Sequence, residues 1–139
     1  MTTPNASTLM PCLRYRDARA AIAWLGKAFG FREHAVHADD NDGIEHAELV
    51  LGRGMVMLGS VRDNDYGSQV LQPDEASGRN TQSIYVVVAD CRAHYERACA
   101  AGAEIVLDYE EKDYGGAGYT CRDPEGHLWS FGSYDPWAA

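Results

Sequence analysis

The sequence predicts an α+β fold made of two β-α-β-β-β modules. Three observations predict it. Two helical stretches each follow a short apolar strand and open on an aspartate; three further strand-like runs follow each helix; and one constant offset carries the first half of the chain onto the second.

In the first half, Leu9 to Tyr15 reads as a strand and Asp17 stands where a helix cap belongs. Ala18, Ile22, Leu25 and Phe29 recur at spacings of 4, 3 and 4, one buried stripe on a helix, and Gly30 stops it. Phe31 to Ala38, Ile44 to Leu51 and Met55 to Val61 read as strands, the last two joined by Gly52-Arg53-Gly54. Residues 62–81 are polar, hold Pro73, Gly67 and Gly78, and read as a connector or lid. The domain organisation is thus module 8–61, linker 62–81 and module 82–135.

The same order then returns. Gln82 to Ala89 is a strand, Asp90 caps a helix running to about Ala101, and Ile105 to Tyr109, Gly118 to Arg122 and His127 to Ser133 are strands. Between the last two, Asp123 can bond its own backbone two residues on, Pro124 presets φ, and Gly126 can take positive φ, so 118–132 is a hairpin. Asp17 maps to Asp90, Arg19 to Arg92, Ala20 to Ala93, Gly43 to Gly116, and Gly59-Ser60 to Gly132-Ser133, each pair 73 residues apart. A module of four strands and one helix leaves one sheet face bare. Two such modules are expected to pair and enclose a hollow, the expected ligand site.

Composition excludes several classes. With 139 residues and 45% hydrophobic content there is enough material for a core, which argues against disorder. A net charge of −9 and a pI near 4.8, with no basic cluster, argue against nucleic acid. Apolar runs such as 84–89 are far too short to span a membrane, and Met1 to Ser7 is polar, so a cytoplasmic location is expected and the Asn5-Ala6-Ser7 sequon carries no meaning. Cys12, Cys91, Cys99 and Cys121 form no C-x-x-C pair and read as reduced packing residues.

Several residues carry this pattern into a known family. The paired module order, the two aspartate caps after apolar strands, His46-Ala47-Glu48-Leu49 before a glycine turn, Asp123-Pro124-Glu125-Gly126-His127 and the ending Trp129-Ser130-Phe131-Gly132 resemble the vicinal oxygen chelate superfamily. That superfamily holds glyoxalase I, the bleomycin-resistance proteins, fosfomycin-resistance enzymes and extradiol dioxygenases. The resemblance runs from about Leu9 to Asp135 and is greatest to uncharacterised glyoxalase-like members. It implies an incomplete eight-stranded barrel and a homodimer. In metal-dependent members, one side chain from the first and one from the last strand of each module hold a divalent ion. By the resemblance these positions are Met10, Met57, Ser83 and Ser130, none of them a carboxylate or imidazole, so no metal and no cofactor are expected.

Strand alternation supplies further candidates. Met10, Cys12 and Arg14 share a face, as do Ser83, Tyr85 and Val87; Met55, Met57, Leu128 and Ser130 join them if the resemblance holds. Arg14 offers a planar fork for a carboxylate or phosphate, or reaches solvent or Asp17; Tyr85 stacks on a ligand ring or donates its hydroxyl, or fills the core. His46 and Glu48 could form an acid/base pair, but parity is open. Packing of Ala47 and Leu49 under the helix would turn them inward, whereas overlay on Tyr119 and Cys121 turns them outward, with Thr120 facing the ligand. His127 is expected to cap the hairpin, and Trp129 and Phe131 to be core. Trp24, His34 and His37 show no pattern, Asp39 to Asp42 reads as a solvated turn rather than a calcium loop, and Tyr66-Gly67 and Tyr114-Gly115-Gly116 are lid-like.

Two functional readings follow. The first is a metal-free small-molecule binding protein that sequesters an aromatic or acidic compound. The alternative is a glyoxalase-like lyase, isomerase or thiol transferase with non-standard or no metal ligands.

Overall fold

The computed structural model describes residues 6–113 and 115–138. Residues 1–5, with Asn5 of the sequon, and Tyr114 of the lid-like stretch lie outside them. Two four-stranded sheets form, each with one helix. The first contains β1 (Cys12–Tyr15), β2 (Arg32–Ala38), β3 (Ile44–Leu51) and β4 (Gly54–Ser60), in the order β1-β4-β3-β2, with α1 (Ala18–Phe29) between β1 and β2. The second repeats this with β5 (Ile84–Val87), α2 (Cys91–Ala100), β6 (Glu104–Glu111), β7 (Ala117–Arg122) and β8 (Leu128–Gly132), in the order β5-β8-β7-β6. In each, the outer strand entering the helix pairs parallel with the last strand, and the other ladders are antiparallel. The α+β class and module order are as the sequence predicts; the ladders make two separate sheets, not closed into a barrel.

Both helices start where an aspartate satisfies an orphan amide. Asp17 Oδ1 accepts from Ala20 N at 3.1 Å and Asp90 Oδ1 from Ala93 N at 3.0 Å. Gly30, at φ 91°, ends α1 with its N–H on the Gly26 carbonyl. α1 lies against all four strands of its sheet, burying Ala18, Ala21, Ile22, Leu25, Ala28 and Phe29. Fully burying Leu25 or Phe29 contributes about 1.5–3 kcal/mol each. Under α1 lie Tyr15, Ile44, Ala47, Leu49, Val56 and Leu58; α2 covers a mostly aromatic floor of Tyr119, Cys121, Trp129 and Phe131.

The duplication reaches individual hydrogen bonds. Ile44 N donates to Ser60 Oγ and Ala117 N to Ser133 Oγ, both at 2.9 Å. Asp39 N donates to the Gly43 carbonyl at 3.0 Å, and Lys112 N to that of Gly116 at 2.9 Å. All these partners sit 73 residues apart, as the caps do.

Some expectations need correction. β1 starts at Cys12, not Leu9, because Pro11 has no N–H to give a ladder; its carbonyl still accepts from Met57 N at 3.0 Å. β5 starts at Ile84, where pairing with Trp129 begins, leaving Ser83 ahead of the strand. The chain divides into compact units that meet at Gln72 and Pro73. The segment 62–81 is stitched down rather than a flap. Gln72, buried, donates to the Arg14 carbonyl at 2.8 Å, while Asn80 bonds the Gly126 carbonyl and the Leu128 amide at 3.1 and 3.2 Å. On either side of the Tyr114-Gly115-Gly116 stretch, Tyr109 to Glu111 and Ala117 onward are paired strand, and Lys112 N donates to the Gly116 carbonyl at 2.9 Å.

Candidate functional site

Each sheet has one face under its helix and one without it, and register decides which side chains share the helix-free face. In the first sheet, Cys12 pairs with Met57, Met57 with Glu48, and Arg14 with Gly59. Leu13, Tyr15, Val56 and Leu58 alternate with these on the helix side. The helix-free face therefore carries Cys12 and Arg14, Met55, Met57 and Gly59, and His46 and Glu48. This resolves the parity of β3: Ala47 and Leu49 are buried under α1, and His46 and Glu48 face away.

The overlay on Tyr119 and Cys121 misleads for a physical reason. The β7–β8 turn, residues 123–127, is one residue longer than the β3–β4 turn, residues 51–54, and a register shift against β2 skips Glu45. Between bulge and turn the offset is therefore 72, and Glu48 corresponds to Thr120. Thr120 lies on the helix-free face of the second sheet, bonded to Ser130 Oγ at 2.7 Å.

Arg14 is held in a fixed pose. Its guanidinium stacks over the Tyr66 ring, 4.7 Å from the centroid, and rests on Gly59. A Cβ at residue 59 would collide with Arg14 Nη1 and stand 2.9 Å from the Glu45 carbonyl. Tyr66 is fixed in turn by a 3-10 turn at Gly67–Gln69, where Gly67 N donates to Asn64 Oδ1 at 2.8 Å and a Cβ would overlap the Arg62 carbonyl.

Tyr85 plays the corresponding part on the second sheet. Registered with Ser130, it lays its ring over Gly132, the repeat mate of Gly59, and its hydroxyl donates to the Tyr134 carbonyl at 2.7 Å. Val87 and Leu107 stand exposed on the same face.

A polar cluster borders Met57. His46 Nε2 donates to Glu48 Oε2 at 2.9 Å, His34 Nε2 lies 3.9 Å from Oε1, and His37 stacks on His46 with centroids 6.3 Å apart. The His46 hydrogen bond, more than the nearby histidine charges, holds the Glu48 carboxyl below its ordinary 4.5. His34 and His37, patternless in sequence, join this cluster because β2 pairs alongside β3.

Other expectations settle as structure. Asp123, buried, accepts from Glu125 N, His127 N and Trp129 Nε1 at 3.0–3.1 Å, so the hairpin is capped through the backbone of His127 and the carboxylate of Asp123. Asp39 Oδ1 accepts from Asn41 N and Gly43 N, and Oδ2 pairs with Arg62, which makes 39–43 a self-bonded turn. Trp24 packs edge-on against Phe29.

Sheet pairing, caps and the duplicated bonds define a glyoxalase-type module pair. The chain belongs to the glyoxalase/bleomycin resistance protein/dioxygenase superfamily, whose family model matches residues 7–131. It is 32% identical over 124 residues to an uncharacterized protein of Mycobacterium tuberculosis, covering 89% of this chain and 72% of that one. Among solved structures it is similar to TioX from Micromonospora sp. ML1, with 34% identity, a TM-score of 0.71, and 91% and 98% of the two chains covered. The fosfomycin resistance protein FosX from Listeria monocytogenes shares the fold at 14% identity, with a TM-score of 0.68 and 95% and 96% covered.

The divalent ion of the metal-dependent members does not fit the residues present here. Register sets Cys12 rather than Met10 beside Met57, and Tyr85 rather than Ser83 beside Ser130; both Met10/Ser83 and Cys12/Tyr85 are 73 residues apart, so the repeat offset fits either choice. Either set offers thioethers, a thiol and neutral hydroxyls, poor donors for a hard or borderline divalent cation. The Ser130 and Tyr85 hydroxyls are also engaged with protein partners. Among the described residues, no group of three or more His, Cys, Asp and Glu is placed to hold a metal ion.

Proposed function

We propose that this protein is a small-molecule receptor that works without the superfamily's divalent ion and takes a planar aromatic compound bearing an acidic group. The observation that carries the reading is the pose of Arg14, stacked on Tyr66 and seated on Gly59 beside Met57. A guanidinium has five N–H donors in a rigid fork, so one stacked in place can serve a carboxylate bidentately with little ordering cost. Thioethers and the Tyr66 ring supply the adaptable, polarizable surface that an aromatic body prefers. Met10, just ahead of β1, would border the ligand, and a homodimer is the expected assembly.

Isothermal titration against aromatic carboxylates and their neutral amides tests this, with chelator present throughout. Saturable binding of the acids is expected, and Arg14→Met should weaken them by about 1.5–3 kcal/mol, the worth of a hydrogen bond to a charged group. The amides should be little affected. No binding by any acid, or equal loss of acid and amide, would defeat the reading.

The 2.9 Å His46–Glu48 bond favours a second reading, in which this pair moves a proton on a bound substrate. Turnover in isomerase, lyase and thiol-transfer assays that His46→Gln abolishes would establish it.

A further inference from the structure

Four of the chain's sulfur-bearing side chains gather on or beside the helix-free face of the first sheet. Cys12 and Met57 are register partners on neighbouring parallel strands, about 4.8 Å apart along the ladder. Met55 lies two residues before Met57 on the same face, and Met10 two residues before Cys12, with the Cys12 thiol 3.6 Å from the Met10 carbonyl. Same-face neighbours along a strand are about 6.7 Å apart. Three flexible thioethers and one thiol thus border a space that a single ion can bridge.

From this juxtaposition we infer that Cys12, Met55 and Met57, with Met10 as a fourth donor, form a site for one soft monovalent cation, Cu(I) being the biological member of that class. Thiolate and thioether donors select Cu(I) over hard and borderline ions, which keep their water or prefer carboxylate and imidazole. Methionine is suited to it, since its three rotatable bonds let sulfur atoms on a rigid sheet converge without moving backbone. The protein donors are reachable, because Cys12 is exposed and Met10, Met55 and Met57 are not fully buried.

Charge around the space is mixed. Arg14 opposes a cation, but its guanidinium sits over Gly59, one pleat further along β4, while the carboxylate of Glu48 projects from the residue registered with Met57. Binding replaces the Cys12 S–H bond with S–Cu and sends the proton to solvent, so affinity should rise with pH. The site shares Met10 and Met57 with the surface proposed for the organic ligand but takes its ion through sulfur and not through the Arg14 fork.

Anaerobic competition against the Cu(I) chelator bicinchoninate tests the inference on the full chain. Wild-type protein should withdraw about one equivalent, and Cys12→Ser, Met55→Leu and Met57→Leu should each lower affinity roughly tenfold or more, the scale on which metal sites respond to lost partners. Circular dichroism checks that each variant is folded. Cys99→Ser removes the other exposed thiol and should leave affinity unchanged, and Arg14→Gln, which adds no sulfur, should keep the copper while losing the organic acid. X-ray absorption should find sulfur as the nearest scatterers. No copper withdrawn by wild type, or copper kept by the folded Cys12, Met55 and Met57 variants and lost with Cys99, would overturn the site.

Discussion

Asp123 shows how much one side chain can organise. Its carboxylate closes the β7–β8 turn through two backbone amides and also satisfies the indole N–H of Trp129, which is wholly buried. Asp123→Ala leaves those donors unpaired, and a buried orphan donor costs about 1–3 kcal/mol. Urea denaturation should therefore show an unfolding free energy lower by about that cost or more, read as an earlier midpoint at unchanged slope. Asp39 and Glu48 make a pH prediction. Amides of Asn41 and Gly43 and the Arg62 guanidinium hold Asp39 below its ordinary 3.8, as His46 holds Glu48 below 4.5. Both folded-state pKa values are depressed, so the unfolded chain binds protons more readily. The stability these groups contribute is complete above about pH 4.5 and is lost as pH falls through and below their ordinary values. Asp39→Asn should flatten this acid limb in a stability-versus-pH series; an unchanged limb would count against the turn as its source.

At the scale of elements, the paired glycines mark where a strand must admit another residue's side chain. A Cβ at Gly132 would meet the Tyr85 hydroxyl and stand 2.9 Å from the Ala117 carbonyl, so Gly132→Ala should displace Tyr85 and lower the thermal midpoint. The strands also sort the thiols. Burial pushes the Cys121 thiol up to about 12 and raises that of Cys91, whereas Cys12 and Cys99 are exposed. Ellman's reagent should modify two thiols quickly in native protein and the other two only on unfolding. Helices, strands and caps were legible in sequence because their signals are local: the 4-3-4 stripe of α1, the aspartates at 17 and 90, and the Asp-Pro-Glu-Gly turn. The facing of His46 and Glu48 was not, because it depends on a bulge at Glu45 and a one-residue difference between two turns, which shift register without altering composition. Pairing Cys12 with Met57 was equally hidden, since one offset of 73 fits either choice of neighbour. Tyr66 over Arg14 joins residues far apart in sequence, and the repeat that matched Gly59 with Gly132 carried no sign of the side chains that lie over them.

For the molecule as a whole, duplication explains why two sheets share caps, turns and serine bonds, and divergence explains why they differ in chemistry. One helix-free face carries a guanidinium, sulfur and a histidine–carboxylate cluster; the other carries tyrosine, hydroxyls and exposed aliphatic side chains. The positions that the resemblance assigns to a divalent ion, and their register neighbours, carry thioether, thiol and hydroxyl groups on the two sheets. The reading as a receptor therefore rests on Arg14 recognising an acidic ring compound with no divalent ion. Calorimetric titration of an aromatic acid into wild-type and Arg14→Met protein, each with and without EDTA, measures this directly. The account predicts saturable binding by wild type that EDTA leaves unchanged and Arg14→Met weakens at least tenfold, about 1.4 kcal/mol. Binding that vanishes with EDTA, or that ignores the loss of Arg14, would contradict it.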